Sequence, residues 1–161
     1  MIDILEKRTA LEERFRGERS WREGTANDVP SWYERLVTDL ILATGDDEIR
    51  YFSAKYLPPR GENGASMAVV AFTDELVAYA NLDNDPSGNT PLEVIVTARR
   101  QLSSFSIESS DVGAEDPLAG VRIAVNYPEF SRVLPLGDSD WKTRSSETSD
   151  LISRLRRDLV A

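Results

Sequence analysis

The chain contains no histidine and no cysteine. Without cysteine there is no disulfide, no thiolate nucleophile, no iron–sulfur cluster and no cysteine-ligated zinc. Without histidine the commonest general base, the serine triads that rely on it and the usual transition-metal ligand are all missing. Long apolar runs are missing too. The longest uninterrupted one, Met67 to Phe72, is far short of the ~18 residues that a membrane span needs. Basic side chains are outnumbered, 19 against 28 acidic ones, for a formal charge of −9. A surface of that sign repels phosphate backbones and anionic membrane surfaces, whose binding depends on Lys and Arg displacing counterions. Nucleic acid and membrane insertion are therefore excluded from the expected partners. Carboxylate, lysine, tyrosine and oxygen-ligated metal chemistry remain open.

What is present is ordinary globular material, with 40% hydrophobic and 29% charged residues among 161. That length suffices for one domain, residues 1–161, with a core of its own. The opening Met1-Ile2-Asp3-Ile4-Leu5-Glu6-Lys7-Arg8 turns charged at once and shows no apolar stretch behind a basic start, which points to the cytoplasm.

Residues 1–45 read as a helical N-terminal extension. Asp3 with Lys7, Glu12 with Arg16 and Glu18 with Arg22 each set an acid four residues before a base, the order that supports a helix through about residue 25. Its apolar stripe of Ile4, Leu11 and Phe15 is thin. Such a helix either lies solvated across its own domain or offers a seam to a partner. Trp21 falls off the stripe beside Arg22, and aromatic residues with arginines are over-represented at interfaces. Ile4, Leu11, Phe15 and Trp21 are thus the candidate partner-binding residues, with packing on the domain as the alternative. After a break at residues 24–30, Ser31 and Glu34 make a capping box for a second helix. Tyr33, Leu36, Val37, Leu40, Ile41 and Thr44 carry its helical period to a stop at Gly45.

From Asp46 to Asp138 the period drops to two. Strands are expected over 48–57, 66–73, 76–82, 92–98, 102–108, 121–127 and 130–136, with turns too short for parallel crossovers. A last helix follows, capped by Ser145 or Ser146, with Thr148, Leu151, Ile152, Leu155 and Leu159 as its apolar stripe. The expected fold class is α+β: a seven-stranded antiparallel barrel or sandwich, two N-terminal helices, and a C-terminal helix capping an open end.

Seven strands followed by a helix, with Val69-Val70-Ala71-Phe72-Thr73-Asp74-Glu75-Leu76-Val77-Ala78-Tyr79 as a strand–turn–strand and Glu93 to Leu102 as the next strand and turn, resemble a pleckstrin-homology-like domain of bacterial type over residues 46–161. The resemblance implies a non-catalytic adaptor that presents loops, a sheet edge or a helix groove to a protein. Members that bind phosphoinositides carry a first-strand lysine and then an Arg-x-Arg pair. Here Lys55 and Arg60 are followed by Glu62, so phosphoinositide is not the expected ligand.

One loop resembles the start of a calcium site. In Asp83-Asn84-Asp85-Pro86-Ser87-Gly88-Asn89, oxygens at alternate positions precede a glycine, which makes Asp83, Asp85 and Ser87 candidate calcium ligands. The twelfth position, however, is Val94, and the same residue types build any tight loop. Twelve of the sixteen acids between residues 45 and 144 cluster at turns, a placement that serves solubility and edge protection. No phosphate loop, nucleophile elbow, dinucleotide fingerprint or metal-ligand spacing is present. These exclusions, the thin stripe of the first helix and the adaptor role that the resemblance implies together favour a protein–protein interaction or adaptor module without a cofactor, acting on a protein partner or a second copy of itself. Two alternatives stand beside it: a small-molecule binder or carboxylate enzyme with a pocket among the strands, and an acidic chaperone-like or immunity protein masking a basic partner.

Overall fold

The longest apolar run becomes a strand buried on both faces. A computed structural model of the protein describes residues 3–85, 92–109, 120–137 and 141–160. In it, β2 (Ala65–Phe72) lies between β1 (Tyr51–Leu57) and β3 (Leu76–Asp85), and β4 (Val94–Ala98) completes an antiparallel sheet in chain order. β5 (Ser104–Ser109), β6 (Val121–Asn126) and β7 (Ser131–Leu134) form a second antiparallel sheet, and a 3-10 turn at Arg99–Gln101 joins the two. All seven expected strands are present, each displaced by a few residues at most. The barrel is not: the two sheets share no ladder among the described residues, so the strands form two open sheets.

Alternation sorts the four-stranded sheet into two faces. On one face the cross-strand rows are Phe52–Ala71–Ala78, Ala54–Val69–Ala80 and Tyr56–Met67–Leu82, all apolar. The N-terminal helices cover this face and share its core. They are α1 (Ile4–Arg16), α2 (Arg19–Gly24) and α3 (Tyr33–Thr44). Phe15, fully buried, meets Trp21, Tyr33 and Phe52 at ring-centroid distances of 4.8, 5.4 and 4.9 Å, and Trp21 also meets Tyr56 at 5.2 Å.

The expected single helix through residue 25 is two. Gly17 ends α1, its N–H donating to the Glu13 and Arg14 carbonyls, and Glu18 is extended before α2 begins. The bend explains Trp21. Off the stripe of a straight helix, it is turned by the break into the same core as Leu11 and Phe15. The Ser31–Glu34 capping box does not form either, since α3 starts after Trp32 with no side-chain cap and Glu34 pairs instead with Arg8. At the other end Gly45 adopts φ +59° and its N–H donates to the Ile41 carbonyl, as a glycine stop requires.

The opposite face changes character along the strands. Its rows run Tyr51–Phe72–Val77–Thr97, then Ser53–Val70–Tyr79–Ile95, then Lys55–Ala68–Asn81, then Leu57–Ser66. The first two rows join Ile123, Val125 and Leu134 of the second sheet and Leu151 and Leu155 of α4 (Trp141–Val160) in a second core. This helix starts ahead of Ser145 and Ser146, and the expected stripe is inward at Thr148, Leu151 and Leu155 while Leu159 stays 43% exposed. No helix among the described residues is long and apolar enough to cross a membrane.

Candidate functional groove

The third and fourth rows, Lys55–Ala68–Asn81 and Leu57–Ser66, lead away from the second core. The segment from Phe130 to Leu136 crosses the sheet at the second row. At β3 the Phe130 ring stacks on Tyr79 with centroids 4.5 Å apart, and Arg132 lies over the Tyr79 ring and donates through Nη2 to the Asn81 amide oxygen at 3.3 Å. At β1 the Leu136 N–H donates to the Ser53 hydroxyl at 2.8 Å. On one side of this crossing lies the second core. On the other lies a groove of about 640 Å³, with Lys55, Leu57, Ser66, Ala68, Asn81 and Asp83 along the four-stranded sheet. Its other wall is formed by β6 and β7.

The charge in this groove is opposite to that of the chain. Among the described residues Lys55, Arg122 and Arg132 line it against one carboxylate, Asp83. Among the described residues none of the three cations has an ion pair, although Glu108 stands opposite Arg122 in the ladder. Arg132 is held in place by Tyr79 and Asn81, and its Nε is buried without a partner among the described residues. Two apolar side chains beside these cations are unusually open: Leu57 is 51% and Val133 40% exposed. The groove thus combines fixed positive charge, amide and hydroxyl groups from Asn81, Asn126, Ser66 and Ser131, and apolar surface.

A second cleft, of about 470 Å³, lies where α1 meets the loop after α3. Asp3, Glu6, Asp46, Asp47 and Glu48 face Lys7 and Arg14 there. Both cations are committed to the fold. Lys7 donates to the Asp47 carbonyl at 2.7 Å, and Arg14 donates to the Ile49 carbonyl at 2.9 Å and pairs with Glu147 of α4.

Far from the groove, α4 closes the other end of the second core with polar contacts. Arg99, 1% exposed, donates to Asp158 at 3.1 Å and to the Thr73 carbonyl at 2.8 Å, with its guanidinium over the Phe72 ring. Burial pushes the nearby Tyr127 phenol well above its ordinary range, and the Asp158 charge adds to the effect. At the β2–β3 turn, hydrogen bonds from Arg154 and Arg50 hold the Asp74 carboxyl below the usual carboxylate value. These groups fasten a helix. They do not line either cleft.

The residues singled out in the sequence are redistributed. Leu11, Phe15 and Trp21 are 3%, 0% and 4% exposed and belong to the first core, so three of the four candidate partner residues are occupied by their own chain. Ile4 alone remains open, at 58%, beside Leu5 at 77%. Of the candidate calcium ligands, Asp83 and Asp85 are part of β3 rather than a loop, and Ser87 falls outside the described residues. The β2–β3 register slips between Ala65 and Met67, so β3 bulges opposite Ser66 and Asp83 arrives at the groove. No group of three or more metal-binding side chains occurs among the described residues. The groove itself was missed because its cations come from strands far apart in sequence. One signal was available: β1 and β3 trade inward apolar residues for Lys55 and Asn81 at their far ends. Comparison of the chain with protein-family models, with curated proteins and with solved structures finds no match.

Proposed function

We propose that the protein is a non-catalytic binding module that takes a protein partner in the groove between its sheets. The observation that carries this reading is the placement of Lys55, Arg122 and Arg132, without an ion pair among the described residues, beside exposed Leu57 and Val133 in a chain of net charge −9. Exposed apolar surface next to oriented arginine is what interfaces use. Seven antiparallel strands followed by a helix support the same class of function, through the pleckstrin-homology-like arrangement we propose for residues 46–161.

Carboxylate catalysis finds less support. A general acid and base need two carboxyl groups held in one apolar site with their pKa values pushed apart. The space between the sheets is filled by Val70, Phe72, Val77, Ile123, Val125 and Leu134, and among the described residues Asp83 is the one carboxylate lining the groove. The groove reading is tested by capturing partners from the native host with the intact chain and with a Leu57→Asp, Val133→Asp variant. Loss of the specific partner from the groove variant, with retention by an Ile4→Asp, Leu5→Asp variant, is the expected result. Equal capture by all three proteins overturns it.

The acidic cleft of Asp3, Glu6, Asp46, Asp47 and Glu48 favours a second reading, in which the protein masks a basic partner. That reading predicts a captured partner that is basic and is released steeply by salt, insensitive to the groove substitutions.

A further inference from the structure

Resting on the groove as the binding face, we infer that its ligand is an extended polypeptide segment that carries acidic and apolar side chains toward both walls. The inference follows from how the groove is built. Lys55, Arg122 and Arg132 stand on three different strands, so positive charge is spread along the groove rather than gathered in one loop. Separated single charges suit separated carboxylates. A compact, multiply charged phosphate needs several donors converging on one point, and here it would also meet Asp83. An extended strand projects successive side chains to opposite sides. Each wall carries a cation beside an open apolar side chain, Lys55 with Leu57 and Arg122 with Val133, so both sides of a bound segment meet charge and apolar surface. Asn81 and Ser131, on the two walls, supply polar groups for the segment's backbone. Arg132 is already oriented by Tyr79 and Asn81, so little side-chain freedom is lost when a carboxylate arrives. The net charge of −9 opposes an anionic membrane, whose surface meets the whole molecule, more than a short segment that enters the groove.

The probe is a short, end-capped peptide of glutamate pairs and valine pairs in turn, titrated into the nitrogen-labelled intact chain and followed by amide shifts. Shifts centred on Lys55 to Leu57, Asn81, Arg122 to Asn126 and Ser131 to Val133 are expected. Reversing Lys55→Glu or Arg122→Glu should weaken binding roughly tenfold each, the loss of one charge-assisted contact, whereas Lys7→Glu in the acidic cleft should leave it unchanged. The lysine–valine counterpart should not bind. Shifts centred elsewhere, equal binding of the lysine peptide, or tighter binding of inorganic phosphate or of vesicles containing an anionic lipid would overturn the inference. Should the acidic peptide fail while partner capture still depends on Leu57 and Val133, only the ligand class falls. Should capture also be indifferent to those two residues, the groove falls with it.

Discussion

The two faces of the four-stranded sheet are made from the same strands and differ by one residue of register, yet they serve different ends. The helix-covered face is apolar from Phe52 to Leu82 in every row. The other begins with Tyr51, Phe72 and Val77 and ends with Lys55, Asn81 and Asp83. A face that is apolar throughout demands complete cover and receives three helices. One that changes along its length is covered only as far as its apolar rows reach, and the polar remainder becomes a groove. The contrast predicts that substitutions on the first face cost stability, whereas those at the far end of the second cost only binding.

The largest effect is expected at the centre of the covered face. Phe15→Ala removes a fully buried ring that touches Trp21, Tyr33 and Phe52, and should cost about 3–5 kcal/mol in denaturant unfolding. A loss below about 1 kcal/mol would mean that α1 is not part of the core. Next comes the fastening of α4. Asp158→Ala leaves Arg99 buried without its carboxylate and should cost about 3 kcal/mol, the lower end for breaking a buried pair because Asp158 itself is 14% exposed. Double replacement of Arg99 and Asp158 by apolar residues should recover part of that loss. A smaller effect belongs to Gly24, where a methyl group would come within 2.6 Å of the Tyr56 ring. Gly24→Ala should cost about 1–3 kcal/mol, by pushing α2 off β1.

How much of this was legible in the sequence follows the same division. Period-two alternation and turn residues marked the strands, and the stripe from Leu36 to Thr44 marked α3, because those signals are local and the core depends on them. The break at Gly17 was hidden by charge pairs spaced for one continuous helix, and the misplacement of Trp21 followed from it. Of those pairs, Glu12 and Arg16 do meet, at 3.8 Å. Glu34 had two suitors, a cap at Ser31 and the guanidinium of Arg8, and only the folded chain brings the second one near. Asp83 and Asp85 look like loop residues by type, but pairing with β2 extends β3 through them. The groove is the least legible feature, since nothing local says that Lys55, Arg122 and Arg132 share a wall.

Acid should loosen the α4 end of the second face. Asp74 has its folded-state pKa lowered by Arg154 and Arg50, so its contribution to stability is complete above the ordinary carboxylate value and disappears as the pH falls through the depressed one. Asp74→Asn should therefore be less stable than the parent at neutral pH, by less than the core variants. The difference should close as the pH drops below about 4. Denaturant midpoints measured for both proteins across that range decide the matter, and a gap that stays constant with pH would show that Asp74 acts through packing.

The smallest expected change in stability is the most informative about the comparison. Lys55 and Arg122 are exposed and, among the described residues, without an ion pair, so reversing either to glutamate should change the unfolding free energy by no more than about 0.5 kcal/mol. In a chain of −9 each reversal adds two negative charges' worth of self-repulsion, which works against the fold, and removes repulsion between neighbouring cations, which works for it. If the far end of the second face is kept for binding, these terms nearly cancel while acidic-peptide binding falls. A stability loss comparable with that of Gly24→Ala would instead make Lys55 and Arg122 part of what holds β6 and β7 against the sheet, and the two faces would differ in degree rather than in purpose.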